Sequence, residues 1–352
     1  MGWFAIADSE TTNFRAPRGG RDGPLPRGTL MIETRLSPDG RPQTLLAFES
    51  YHCGDFKLSV QAIPGGGVVL VMAENGEAFH ATLDHDAQDR ADLLRISYSW
   101  DLMLGSGRLA IERPEHGKMV KLMLERPRAM RVADVHAMTR EPGRRLMDRD
   151  VEFFAVSDRV EPVGPTPSLG GDVPVLGSDR YVSVGDLRRG DLVETLEAGL
   201  VPVLHAVRRT VPARGSFRPV RLRAPYFGLR HDIVVAPDQR LVVGGPEVEY
   251  IFGREAVLVP ARHLVNGISA ISLSGPPTVT YCQVILPRHE SMIGAGCPIE
   301  SLYIGRLRRK PAQLAQSVLA EIDRTLLPEH SKSSYPMLRP FEAVTLMQQR
   351  AA

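Results

Sequence analysis

The chain has 352 residues, 43% hydrophobic and 24% charged, a composition that excludes wholesale disorder and leaves room for two modest domains. Its 43 Lys and Arg against 41 Asp and Glu give a formal net charge of +2, so no global field points to nucleic acid or an anionic membrane as the main partner. The short run Arg306-Leu307-Arg308-Arg309-Lys310 reads as solvated surface.

The N-terminus, Met1-Gly2-Trp3-Phe4-Ala5-Ile6-Ala7-Asp8, has no basic start and no sustained apolar core, which argues against a Sec-type signal peptide. Nowhere does the chain reach the roughly 20 apolar residues of a membrane helix. The expectation is a soluble protein without a membrane span, cytoplasmic or exported by a route that uses no cleaved signal. Residues 1–27 carry Arg18-Gly19-Gly20-Arg21-Asp22-Gly23-Pro24, turn-forming and aperiodic, and read as a flexible arm.

Short strand-like segments follow: Gly28–Glu33, Gln43–Phe48, Phe56–Val60, Gly67–Met72 and Leu94–Trp100. In the last, Leu94, Ile96, Tyr98 and Trp100 share one face and Arg95, Ser97 and Ser99 the other. Pro64-Gly65-Gly66-Gly67 and Glu74-Asn75-Gly76-Glu77 separate neighbours at hairpin distance. Residues 28–128 are therefore predicted to form an antiparallel β-sandwich. Its strand order is similar to laminin-G and concanavalin-like folds, a resemblance that implies carbohydrate or protein as the partner of this part. Asp84-His85-Asp86 and Asp89 read as a polar loop, because a calcium site needs convergent oxygens that spacing alone does not supply.

Glu141-Pro142-Gly143 and Glu161-Pro162-Val163-Gly164-Pro165-Thr166-Pro167 break the pattern, so residues 129–167 are expected to be a Pro-rich linker. Residues 168–305 are again rich in Val and Leu. After Pro311, Leu314, Val318, Leu319 and Ile322 recur at helical spacing, so 306–352 is read as a short C-terminal helix and an irregular tail from Ser331. Cys53, Cys282 and Cys297 have no pair spacing, which favours neither a disulfide framework nor a zinc site. No cofactor or metal is expected.

Three blocks in the second half belong together. They are Pro167-Ser168-Leu169-Gly170-Gly171 with Leu187-Arg188-Arg189-Gly190-Asp191, then Ile233 to Val243 around Ala236-Pro237-Asp238-Gln239-Arg240, then Tyr281-Cys282-Gln283 through His289-Glu290 with Glu300-Ser301-Leu302-Tyr303. They resemble the Hint domain shared by hedgehog proteins and inteins, in its bacterial variety. The resemblance implies a β-rich Hint fold that cleaves the peptide bond before its first residue, using a Cys nucleophile helped by a hydroxyl residue and a His.

Aligned on the Gly190-Asp191 turn, Ser168 takes the nucleophile position, Ala236 the hydroxyl position and Gln239 the His position. Gln283 and Pro287 replace a further His and an Asp of the pattern. A serine hydroxyl ionises far less readily than a thiol, and an amide cannot donate a proton as an imidazolium can. Of His205, His263 and His289, the last lies inside a matched block and is the candidate substitute for the missing imidazole. The leading reading is a Hint-fold protein with degenerate active-site residues, its autoprocessing lost or impaired, acting as a structural or binding module. Two others stay open: self-cleavage of the Pro167–Ser168 bond by an N-to-O acyl shift, and a lectin-like binding protein whose sandwich carries the function.

Overall fold

The computed structural model describes residues 2–17, 23–36, 41–51, 55–85 and 92–351. It divides into two compact units, Met1–Val163 and Gly164–Ala352. Cys53, Asp86 and Asp89 lie outside the described residues.

The first unit is an antiparallel two-sheet sandwich. Its strands are β1 (Trp3–Ala7), β2 (Thr12–Phe14), β3 (Arg27–Arg35), β4 (Gln43–Ser50), β5 (Phe56–Ile63), β6 (Gly67–Glu74), β7 (Glu77–Asp84), β8 (Leu93–Asp101), β9 (Ser106–Arg113), β10 (Lys118–Glu125), β11 (Arg145–Met147) and β12 (Val151–Ser157). One sheet runs β10-β9-β8-β3-β12-β1-β2 and the other β11-β4-β5-β6-β7. Leu94, Ile96, Tyr98 and Trp100 of β8 enter the core with Leu30, Phe48, Leu58 and Leu70, as the alternation requires. On the other face Glu33, Arg95 and Glu112 form one cross-strand row, with Arg95 Nε 3.4 Å from Glu33 and Nη1 3.9 Å from Glu112; opposite charges at directly paired positions support this register.

Trp100 anchors the core. Its ring stacks on Tyr98 with centroids 5.5 Å apart, its indole N–H donates to the Leu25 carbonyl at 2.9 Å, and the Tyr98 hydroxyl donates to Arg128 O at 2.6 Å. Both polar tips are thereby satisfied. Gly28, paired opposite Trp100, is required by this packing, because a Cβ there would sit 2.4 Å from the indole.

Two expectations about this unit are corrected. Residues 1–27 are not simply an arm: β1 is wholly buried and lies between β12 and β2. Residues 129–167 are not simply a linker: they supply the helix α1 (Val132–Arg140), β11, and the sheet strand β12, which bridges β3 and β1. β1 has only five residues, too few to establish a period, and its partner β12 lies some 150 positions away. The units part at Val163, inside the Pro-rich run.

The second unit carries β13 (Leu169–Gly170), β14 (Pro174–Leu176), β15 (Tyr181–Ser183), β16 (Leu192–Thr195), β17 (Gly199–Pro202), β18 (His205–Pro212), β19 (Val220–Leu222), β20 (Ile233–Val235), β21 (Arg240–Gly244), β22 (Ala256–Pro260), β23 (Ala270–Ser272), β24 (Thr278–Ile285), β25 (Ser291–Gly294) and β26 (Cys297–Glu300). One sheet runs β18-β24-β13-β20-β19-β23, the other β15-β14-β25-β26-β21-β22 with the β16–β17 hairpin attached to β25. Its helices are α2 (Pro246–Phe252), α3 (Pro311–Leu314) and α4 (Pro340–Ala351); no helix of the described residues is long and apolar enough to cross a membrane.

The C-terminal helix is present but displaced. The pattern at Leu314, Val318, Leu319 and Ile322 gives only the four-residue α3, because Ser317 Oγ donates to Leu314 O and accepts from Leu319 N–H, competing with the helical ladder. The tail expected to be irregular instead forms α4, whose Ala343 and Leu346 join the unit's core. Glu342 accepts from the Arg339 N–H at 2.7 Å, a side chain reaching back to cap the first turn.

Before α4, the chain from Leu327 to Leu338 is pinned by buried imidazoles. His330 accepts at Nδ1 from Ile304 N–H (3.3 Å) and presents Nε2 to Leu286 O at 3.1 Å. Ser334 N–H donates to His289 Nδ1 at 3.3 Å, and its hydroxyl donates to the His289 carbonyl. Burial lowers the His330 pKa to about 4.

Two outcomes are expected. Gly28→Ala, by forcing the indole aside, should cost about 1–3 kcal/mol; the urea midpoint followed by tryptophan fluorescence checks this, since Trp3 and Trp100 are the chain's two tryptophans and both lie in the first unit. For the second unit, the folded state disfavours the His330 proton that the unfolded chain accepts near pH 6.5. Stability should therefore fall as pH drops from about 6.5 to about 4, by roughly 3 kcal/mol in all; calorimetry of wild type against His330→Gln should show a shallower acid loss in the variant.

Candidate functional site

Ser168 stands at the entry to β13, which lies between β20 and β24: Leu169 pairs with Val235 on one side and Cys282 on the other. Leu169 is fully buried. Gly170 allows the close approach, because a Cβ there would lie 2.8 Å from the Val234 carbonyl. The strand thereby delivers Ser168 to the turn between β20 and β21.

That turn is Ala236-Pro237-Asp238-Gln239, closed by Gln239 N–H to Ala236 O at 3.0 Å, with proline at its second position, where a fixed φ favours the bend. Ala236 N–H donates to the Ser168 carbonyl at 2.7 Å. The turn aims the Gln239 side chain inward, where it is 1% exposed. Ser168 Oγ donates to Gln239 Oε1 at 2.7 Å. Asp238 on the turn's outer side pairs with Arg262.

Gln239 is itself held on every side. Its Nε2 donates to Arg240 O (2.8 Å) and Glu300 O (3.2 Å). Gln283 Nε2 donates to the same Glu300 carbonyl at 2.6 Å and approaches Gln239 Oε1 at 3.4 Å. Gln283 Oε1 is buried with no hydrogen-bond partner among the described residues.

Glu300 joins this network to a second one. Its Oε1 accepts from Arg240 Nη1 at 2.9 Å and lies 3.0 Å from His289 Nε2. His289 Nδ1 accepts the Ser334 N–H, which leaves Nε2 on the side of the Glu300 carboxylate. The ring meets Tyr303 edge-on at 4.8 Å and lies 5.7 Å from His330.

The structure thus brings together three of the four residues singled out from sequence, Ser168, Ala236 and Gln239, and places His289 beyond Glu300, bonded to the C-terminal segment. Gln283 and Glu300 complete the site; both stand in the matched blocks, but their chemistry alone does not mark them. Among the described residues neither thiol offers a nucleophile: burial raises the pKa of Cys282 and pushes that of Cys297 up to about 12, leaving both as thiols at neutral pH. Glu290 is also shifted upward, mainly by burial, with Glu197 adding to the effect. His205 on β18 is lowered by burial. No three His, Cys, Asp or Glu side chains among the described residues converge as a metal site would need.

Residues 172–306 match the Hint domain family, and Ser168 lies just ahead of the matched stretch. No curated protein matches the sequence. Among solved structures, the MchDnaB-1 intein (N145AA) is 14% identical, covers 38% of this chain and 98% of its own, with a TM-score of 0.27. The CBM40 of the Ruminococcus gnavus IT-sialidase is 16% identical over 38% of this chain and 77% of that one, with a TM-score of 0.28. A leech intramolecular trans-sialidase is 13% identical over 45% and 26%, with a TM-score of 0.26. Residues 172–306 are a Hint domain.

Proposed function

We propose that the Hint unit is a scaffold whose self-cleavage has been lost, retained as a structural or binding module in a chain that also carries the sandwich. The carrying observation is the bond from Ser168 Oγ to the amide oxygen of Gln239. In an N-to-O acyl shift, Ser168 Oγ would attack the Pro167 carbonyl carbon and the C–N bond would break. The hydroxyl proton would finish on the Ser168 nitrogen, leaving an ester for water to hydrolyse. A base must take that proton and an acid must return it to nitrogen.

Gln239 can do neither at neutral pH, since a carboxamide has no accessible ionisation there. Ala236 offers only a methyl group where the family has a hydroxyl. Gln283 adds a second carboxamide rather than an imidazole. The two amides engage Ser168 Oγ and the Arg240 and Glu300 carbonyls while supplying no proton-transfer group, which is the pattern expected of a kept fold and a discarded reaction. General acid and base assistance is worth roughly 10²–10⁴ in rate per group, so their joint absence suppresses cleavage strongly.

Purified chain incubated at neutral pH with hydroxylamine, which traps an ester, should keep its full mass of 38.7 kDa by mass spectrometry. A break before Ser168 that Ser168→Ala abolishes would overturn the proposal. Conversely, Ser168→Cys with Ala236→Thr and Gln239→His should restore cleavage ahead of residue 168, and adding Gln283→His should raise its rate further. Both are followed as loss of the intact mass with time.

A further inference from the structure

We infer that Arg209, backed by Phe217 and Tyr281, is a recognition subsite for the side chain two residues ahead of Ser168, and that it takes a hydroxyl-bearing residue of an extended peptide held in cis. The inference rests on the reading that Pro167–Ser168 is the junction on which a Hint site acts. Arg209 Nη1 donates to Thr166 Oγ1 at 2.9 Å, and the same hydroxyl donates to Gly164 O at 3.1 Å. The hydroxyl therefore uses both its acceptor and its donor capacity.

The flanking residues explain why a side chain must be read. In Pro165-Thr166-Pro167 only Thr166 has a backbone N–H, so the segment cannot join a sheet by an ordinary ladder of hydrogen bonds. Its one side chain with a polar group is the threonine hydroxyl. Recognition of this stretch falls to a donor reaching out from the domain.

Arg209 is built for that task. It lies on β18 opposite Tyr281 of β24, whose other neighbour is Gly170 of β13, two residues after Ser168. It is 4% exposed, its guanidinium lies 5.9 Å from the Phe217 ring centroid, and Tyr281 Oη fixes the Phe217 loop by donating to its carbonyl at 2.9 Å. A rigid, buried cation facing the segment favours a small side chain that can accept a hydrogen bond, and disfavours an apolar one that cannot take the bond from Nη1.

The test is amide hydrogen exchange by mass spectrometry on the full chain, read in peptides spanning residues 164–171. Thr166→Val should raise exchange there roughly tenfold, the loss expected for one hydrogen bond to a charged group; Thr166→Ser should stay within about twofold of wild type, and Arg209→Met should match the valine variant. The Thr166 variants leave Arg209 in place and keep the test valid if Arg209→Met does not fold. Equal exchange in Thr166→Val and wild type, or equal increases in the Val and Ser variants, would overturn the subsite. The exchange readout needs no cleavage, so it fails separately from the silent-site reading, which a break of the unaltered chain at Pro167–Ser168 would end.

Discussion

Glu300 is the residue on which the site in the second unit depends. Its backbone oxygen accepts from both Gln239 and Gln283, and its carboxylate faces Arg240 and His289. One residue at the end of β26 therefore sets the side chain that meets Ser168 and the imidazole that holds the C-terminal segment. Buried polar groups carry a large cost when unpaired, so a hub of this kind constrains every side chain that touches it. Gln239 has little freedom to turn away from Ser168 because both of its Nε2 hydrogens are engaged.

The pairing of Gln239 with Gln283 shows what a carboxamide can and cannot do at a buried polar position. An imidazole and a carboxamide both offer one donor side and one acceptor side in a plane, and either can fill a buried polar position. They differ in ionisation: only the imidazole changes charge near neutral pH. Two neighbouring amides in this site preserve the hydrogen-bond framework around β13 and supply no group that could carry a proton between Ser168 Oγ and its own nitrogen.

Where pairing is local, it was readable from the chain. The hairpin from β6 to β7 turns on Asn75 and Gly76, both at positive φ, a signal carried by two adjacent residues. The alternation of Leu94, Ile96, Tyr98 and Trp100 named the core face of β8. The blocks around Gly190-Asp191 and His289-Glu290 marked the Hint fold. Reading failed where neighbours in space are remote in sequence or where a side chain competes with the backbone: β1 seeks β12 across the whole sandwich, and Ser317 stops a helix that the apolar spacing around it supports.

At the site the division is the same. The sequence by itself determined the chemistry available, a serine, an alanine and a glutamine at the three positions that the Hint resemblance singles out, because residue identity alone decides what can ionise, donate or attack. Only the tertiary structure decided which of these groups meet: that Ser168 donates to Gln239, that Gln283 and Glu300 enclose it, that His289 serves the C-terminal segment, and that Arg209 reaches Thr166. Those contacts join β13, β18, β21, β24 and β26, and no local period encodes them; they exist because β13, two residues long, is inserted between β20 and β24, where burial favours polar groups that find partners.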